Sequence, residues 1–285
     1  MRRLLGIGGI AIVVVVVAAA PTAAYASANV AALQVALRAE RLYSGAVDGI
    51  RGPATRRAVR RFQARRGLSV DGVVGPRTRR ALGRRGRPRL GSRPLALGAR
   101  GWDVAALQFL LETHGFPLGR IDGGLGARTV ASLRRFQAWA GLAADGVAGR
   151  ATRAALRRRP PRSPLRFALP LGAPVGDYFG PRGDGFHPGL DLVAPFGAGV
   201  HAARSGCVVA AGWDPGGYGN LVVLRHSLGM TSWYAHLSRI AVRRGSCVGF
   251  GATLGTVGAT GRASGPHLHF ELRLRGAAVN PLPAL

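Results

Sequence analysis

Lysine is absent from this sequence: all 40 basic side chains are arginine, set against 12 acids for a formal net charge of +28 over 285 residues. No amine side chain is therefore at hand to serve as a nucleophile. The absence also weakens any functional reading of the charge, because arginine-rich coding explains it as well as a polyanion-binding face does. Most of the excess lies before residue 165, and the rest of the chain is only mildly basic. Homeodomain, zinc-finger and aromatic RNA-binding signatures are missing, so nucleic acid is not an expected partner. Cysteine is scarce too: only Cys207 and Cys247 occur, each before a valine in strand-like surroundings.

Long hydrophobic runs are confined to one place. Arg2 and Arg3 precede an apolar stretch from Leu4 to Ala20, followed by Pro21 and the small-residue site Ala24-Tyr25-Ala26. This order predicts a signal peptide over residues 1–26 and a mature chain from Ser27. The run is slightly short for a bilayer span of about 20 residues, so an uncleaved anchor is the alternative and the one route to stable membrane insertion. Either way the remainder is expected outside the cytoplasm. There an even cysteine count permits one disulfide, worth roughly 4 kcal/mol by loop closure; two free buried thiols are the other possibility.

An internal duplication follows. Val30-Ala31-Ala32-Leu33-Gln34 recurs as Val104-Ala105-Ala106-Leu107-Gln108, and the two copies align without a gap to Leu82 and Leu156. Asp-Gly-x-x-Gly-x-x-Thr occurs twice in each copy, at Asp48, Asp71, Asp122 and Asp145. The motif reads as a turn feeding a helix: Asp bonds its own turn, the first Gly tolerates a left-handed backbone and the second sits at the cap. Pro53 and Pro76 then fall at the first helical position, and Gly67 is placed to end a helix. Each copy is expected to be a bundle of about three helices with Leu33, Phe62, Leu107 and Phe136 in its core. Arg84–Arg100 and the run Arg157–Pro164 read as extended, semi-rigid linkers.

From Leu165 the pattern changes to short β-branched runs punctuated by glycine, such as Leu221-Val222-Val223-Leu224, which predicts an antiparallel β domain with turns at Gly216-Gly217 and Gly261. Two pieces of it carry ligand-type side chains. In an extended Gly265-Pro266-His267-Leu268-His269-Phe270-Glu271, His267 and His269 share a face. Pro188 and Gly189 exclude a helix across His187-Pro188-Gly189-Leu190-Asp191, and in an extended chain His187 and Asp191 share a face as well. Imidazole and carboxylate together suit zinc, which takes three protein ligands when catalytic, so four candidates leave one histidine for chemistry.

These pieces, with Tyr234-Ala235-His236-Leu237-Ser238 between them, resemble the lysostaphin-type, or β-lytic, zinc endopeptidases that cut peptidoglycan peptides; the likeness covers roughly the last 120 residues. The duplicated units resemble the peptidoglycan-binding domain attached to many wall hydrolases, through Leu-Gln, Asp-Gly-x-x-Gly-x-x-Thr and Phe-Gln-x-x-x-Gly-Leu. The resemblance implies a β domain with its site in a groove, zinc on His187, Asp191 and His269, and acid–base and oxyanion work by His236 and His267, whose roles it does not divide. No covalent intermediate is expected. Glu271 shares the face of His267 and His269 and either orients a ligand or forms a salt bridge. Tyr234, by its parity with His236, is a candidate oxyanion donor. Arg182 either meets a substrate carboxylate or braces its loop, and His114, His201 and His226 are assigned to structure or solvent.

The expected layout is thus multidomain: signal peptide 1–26, all-α repeats 27–83 and 100–156, linkers 84–99 and 157–164, and an all-β catalytic domain 165–285. The implied function is a secreted, wall-associated zinc endopeptidase with peptidoglycan as partner; a non-catalytic wall-binding regulator is the alternative, and a general protease acting on glycine-rich proteins a third reading. Oligomeric state is not readable from the chain.

Overall fold

A computed structural model describes residues 26–285, so the expected export signal, up to Tyr25, lies outside the described residues. Helices α1 (Ala28–Ala39), α2 (Pro53–Arg65) and α3 (Pro76–Ala81) form the first unit, and α4 (Trp102–Thr113), α5 (Ala127–Trp139) and α6 (Arg150–Leu156) the second. None of them is long and apolar enough to cross a membrane. The turn motif does what its residues dictate. In all four copies the Asp carboxylate accepts from the backbone N–H two residues on, at 2.7 to 2.8 Å. Gly52, Gly75, Gly126 and Gly149 then stand at the helix N-caps. A buried glutamine completes each joint: Gln34, Gln63, Gln108 and Gln137 donate to Asp48, Asp71, Asp122 and Asp145 at 2.6 to 2.9 Å. Each repeat is therefore itself two copies of one glutamine-locked turn. Leu33, Phe62, Leu107 and Phe136 lie in the unit cores at no more than 1% exposure.

The linker between the units is packed rather than extended. Leu95 is fully buried, its carbonyl accepts from Ala148 N–H at 2.8 Å, and Arg93 pairs with buried Asp103 at 2.8 Å. An apolar side chain inside a basic, proline-rich stretch outweighs the tendency of such composition to stay solvated, because burying one leucine is worth about 2 kcal/mol. The second unit also holds a buried carboxyl, Glu112, with one oxygen on Leu118 N–H at 3.0 Å and the other unpaired. Burial pushes its pKa up to about 8. The folded chain then keeps a proton that the unfolded chain has released, so stability falls as pH rises from about 4.5 to about 8. Thermal unfolding of wild type and Glu112→Gln across that range checks this: the slope should flatten in the variant.

Strands β1 (Val175–Asp177), β2 (Gly180–Arg182), β3 (Gly185–His187), β4 (Leu190–Val193), β5 (Gly199–His201) and β6 (Gly206–Asp214) open the C-terminal domain. They are followed by β7 (Gly219–Arg225), β8 (Met230–Ile240), β9 (Cys247–Val248), β10 (Thr253–Val257), β11 (His267–Leu274) and β12 (Ala277–Val279). Ten strands form one antiparallel sheet with the path β1-β4-β11-β8-β7-β6-β9, while β2 and β3 pair only with each other. Alternation along the strands sends Leu192, Tyr234, Leu268 and Phe270 into the main core and leaves Asp191, His267 and His269 on the opposite face. Cys207 and Cys247 sit directly opposite each other on β6 and β9 and form a disulfide across 40 residues of sequence. Removing it with Cys247→Ser should cost about 3 to 4 kcal/mol in denaturant unfolding.

The helical units are docked on the β domain. Trp139 Nε1 donates to the Leu274 carbonyl at 3.2 Å, and Ala278 N–H donates to the Gly115 carbonyl at 3.0 Å. Gly115 is at φ +82°, and a Cβ there would lie 2.0 Å from the Ala278 oxygen, so only glycine permits this approach.

Candidate metal centre and active site

Two antiparallel neighbours build the floor of the site. Asp191 on β4 stands opposite His269 on β11, one pair along from the point where the strands cross the turn Pro188-Gly189. Gly189 is required there: a Cβ would lie 2.4 Å from the Phe270 carbonyl of β11. The turn returns the chain to His187 at the end of β3, and the two imidazoles and the carboxylate converge. Asp191 Oδ1 is 3.0 Å from His187 Nε2 and 2.8 Å from His269 Nδ1, and those nitrogens are 3.0 Å apart.

The hydrogen bonds around this cluster fix which atoms face inward. His187 Nδ1–H donates to the Tyr178 carbonyl at 3.0 Å, leaving Nε2 as the inward lone pair. His269 Nε2–H donates to Glu271 at 2.9 Å, leaving Nδ1 inward. Two nitrogens and one carboxylate oxygen thus meet within 4.8 Å, and a proton or a metal ion must sit between them. Their separations approach the roughly 3.3 Å edge of a tetrahedron with zinc bonds of about 2.0 to 2.1 Å. Two nitrogens and one carboxylate form a zinc-type donor set, so the residues present fit the metal that the resemblance implies. The electrostatics agree. Burial opposes charge at Asp191, yet hydrogen bonds from His187 and His269 hold its carboxyl well below the usual range. At His269 burial also opposes charge, but Asp191 and Glu271 outweigh it and raise the pKa to about 9, the response of a site that attracts a cation.

Behind His269 lies a buried polar network. Glu271, fully buried, accepts from His269, from Tyr218 Oη at 2.7 Å and from Arg273 Nε at 2.7 Å. The Arg273 guanidinium stacks 3.8 Å over the Trp233 ring, and against burial it holds the Glu271 pKa down at about 2. Glu271 thus both holds the His269 imidazole and forms a buried ion pair with Arg273. Glu271→Gln keeps the shape and removes the charge that makes His269 a strong donor; zinc affinity should fall about tenfold in competition with a chromogenic chelator. Arg182 braces: it reaches Asp177 at 2.7 Å and the second Asp191 oxygen at 3.4 Å.

His236 and His267 flank the cluster, with ring centroids 4.8 Å apart and His236 5.8 Å from His269. His236 Nδ1–H donates to the Thr260 carbonyl at 2.7 Å and His267 Nδ1–H to the Gly265 carbonyl at 2.8 Å, so each presents a free Nε2. Burial lowers the His236 pKa to about 4, which keeps that ring neutral and able to accept a proton at pH 7. His236 adopts φ +61°, and between Asn220–Leu237 and Val222–Tyr234 the β7–β8 register gains one residue on β8. This bulge breaks the parity on which Tyr234 was placed in the site. Tyr234 is instead fully buried in the opposite core, its hydroxyl on Ser232 and Ala203 N–H at 3.0 Å, and it is no oxyanion donor. His114 and His226 are buried in structural hydrogen bonds, and His201 is exposed. Tyr218, Arg273, Thr260 and the Tyr178 carbonyl were not anticipated; of these only Arg273, two residues beyond Glu271, carries a periodicity signal.

A sheet face bearing a two-His, one-Asp centre with two free imidazoles beside it is the arrangement of a metallopeptidase. Residues 185–281 match the model of peptidase family M23, and residues 26–82 and 100–156 each match that described as "Putative peptidoglycan binding domain". The chain thus has a segment matching the M23 peptidase model behind two segments matching the peptidoglycan-binding model. It is 46% identical over 96 residues to the DD-carboxypeptidase/endopeptidase Mpg of Neisseria meningitidis, covering 34% of this chain and 22% of that protein. It is 40% identical over 129 residues to the peptidoglycan DD-endopeptidase ShyC of Vibrio cholerae, covering 42% of this chain and 28% of that one. The chain therefore spans about a quarter of the length of these relatives. Among solved structures, lysostaphin from Staphylococcus simulans is similar at 35% identity and TM-score 0.37, over 39% of this chain and 48% of that one. A zinc containing peptidase from Vibrio cholerae is similar at 32% identity and TM-score 0.39, over 41% and 39%.

Proposed function

We propose that this protein is a zinc-dependent endopeptidase that hydrolyses peptide bonds of peptidoglycan outside the cytoplasm, held at the wall by repeats 27–83 and 100–156 and acting through a domain of residues 165–285. The observation that carries the reading is the convergence of three acceptor atoms, His187 Nε2, Asp191 Oδ1 and His269 Nδ1, beside two imidazoles that the cluster does not use. Mpg and ShyC supply the substrate class by their names, and the M23 match supplies the reaction type. A regulator without catalysis has no need of a complete donor set with oriented tautomers, which sets that alternative aside.

Zinc held by these three residues supplies Lewis acidity, polarising the scissile carbonyl and acidifying water. The chain's own groups do the rest. His236, neutral and with Nδ1 fixed on Thr260, takes the proton of the attacking water on Nε2. His236 then hands that proton to the leaving amine, and His267, with a free Nε2 3.7 Å from Asp191 Oδ1, is the second imidazole facing the reacting atoms. Arg182 and Glu271 keep Asp191 and His269 in place during turnover.

Purified protein incubated with sacculi tests this. New amine and carboxyl termini should appear in the released peptides, cease with a chelator and return with zinc; unchanged sacculi at full zinc loading would refute the reading. The same peptides identify the bond that is cut.

A further inference from the structure

The ribbon β2–β3 is a two-stranded sheet on its own, apart from the ten-stranded sheet. Isolated two-stranded ribbons are marginal in water, so this one must be held by something else. His187 stands at its base, opposite Gly180, and Arg182, beside its tip, reaches back with its guanidinium to Asp191. Its tip, Gly183-Asp184, lies between the two helical repeats. Val47 N–H of the first repeat donates to the Gly183 carbonyl at 2.8 Å, and Ile121 N–H of the second donates to the Asp184 carbonyl at 2.6 Å. The Asp184 carboxylate pairs with Arg120 of the second repeat at 2.8 Å and Arg38 of the first at 3.5 Å. Gly185 is packed so tightly on Gly119 that an added Cβ would lie 2.6 Å from its carbonyl oxygen. The second repeat is in turn fastened to the main sheet at Leu274 and Ala278. The chain of contacts runs from sheet to repeat to ribbon tip, and closes at His187.

We propose that Asp184 is a positioning residue for the metal site, through which the two wall-binding repeats clasp the ribbon and set the place of His187 and Arg182. The repeats then act as a fixed part of the zinc site as well as a wall anchor, and anything that loosens them from the ribbon weakens the hold on the metal. This inference rests on the zinc reading above. It differs from a simple tether, in which the repeats raise local substrate concentration and leave metal affinity untouched.

The test uses the full-length protein and measures zinc affinity by chelator competition alongside kcat/KM on a soluble peptide, where wall binding plays no part. Arg120 is largely exposed and lies in a different domain from the ligands, so Arg120→Glu is a surface change that should leave the thermal midpoint nearly unchanged. Arg120→Glu and Asp184→Arg should each weaken zinc binding about three- to fivefold, the scale of one or two surface ion pairs, and lower kcat/KM in parallel. The charge-swapped double variant should recover at least part of both losses. Single variants that bind zinc as wild type does, or a double variant that shows the summed losses, would overturn the clasp. Wild-type protein that binds no zinc would instead overturn the metal reading itself.

Discussion

His269→Ala is expected to leave a folded chain that retains no zinc after dialysis and loses at least about a thousandfold of its activity on sacculi. The size follows from the geometry. Nδ1 of His269 is one of three inward acceptors, and its loss leaves a two-atom set that no longer surrounds a cation. Folding survives because Glu271, though fully buried, keeps Tyr218 and Arg273 as partners when the imidazole is removed. Metal analysis and circular dichroism on the same sample separate the two effects. A variant that stays folded and zinc-free yet releases wall peptides at the wild-type rate would show that the metal is not part of the chemistry.

His236→Ala is expected to do the reverse: zinc content is unchanged while kcat falls by about a hundred- to ten-thousandfold, the range of a lost general base. The ring makes its hydrogen bond to Thr260 and sends no atom into the three-acceptor cluster, so the ligand set has no reason to respond. KM should move little, because the ring's contribution is made in the transition state. Parallel loss of zinc in this variant would place His236 among the ligands instead.

Much of the site could be read from the chain because strand parity is a local rule. The two-residue spacing of His267 and His269 put those two side chains on one face of a strand, whereas His187 lies on the separate β2–β3 ribbon beyond the bend at Pro188-Gly189, so extended parity does not account for its place beside Asp191. His236 came only from the resemblance, since its place depends on a left-handed residue and a bulge that no alternation pattern shows. The same bulge is why Tyr234 went to the core instead of the site. In the repeats the Asp-Gly turns and caps were legible, each being a property of a few adjacent residues. The docking was not: Gly115 against Ala278, and Gly183-Asp184 between Val47 and Ile121, join segments far apart in sequence through backbone atoms that carry no side-chain signature. The disulfide was an open choice until β6 and β9 placed Cys207 and Cys247 opposite one another.

Diffraction data collected on either side of the zinc absorption edge, from crystals of the wild-type protein, test the central claim most directly. One anomalous peak is expected between His187 Nε2, Asp191 Oδ1 and His269 Nδ1, at about 2.0 to 2.2 Å from each. No peak there with zinc supplied, or a peak bound by His236 or His267 in place of these three, would contradict the account.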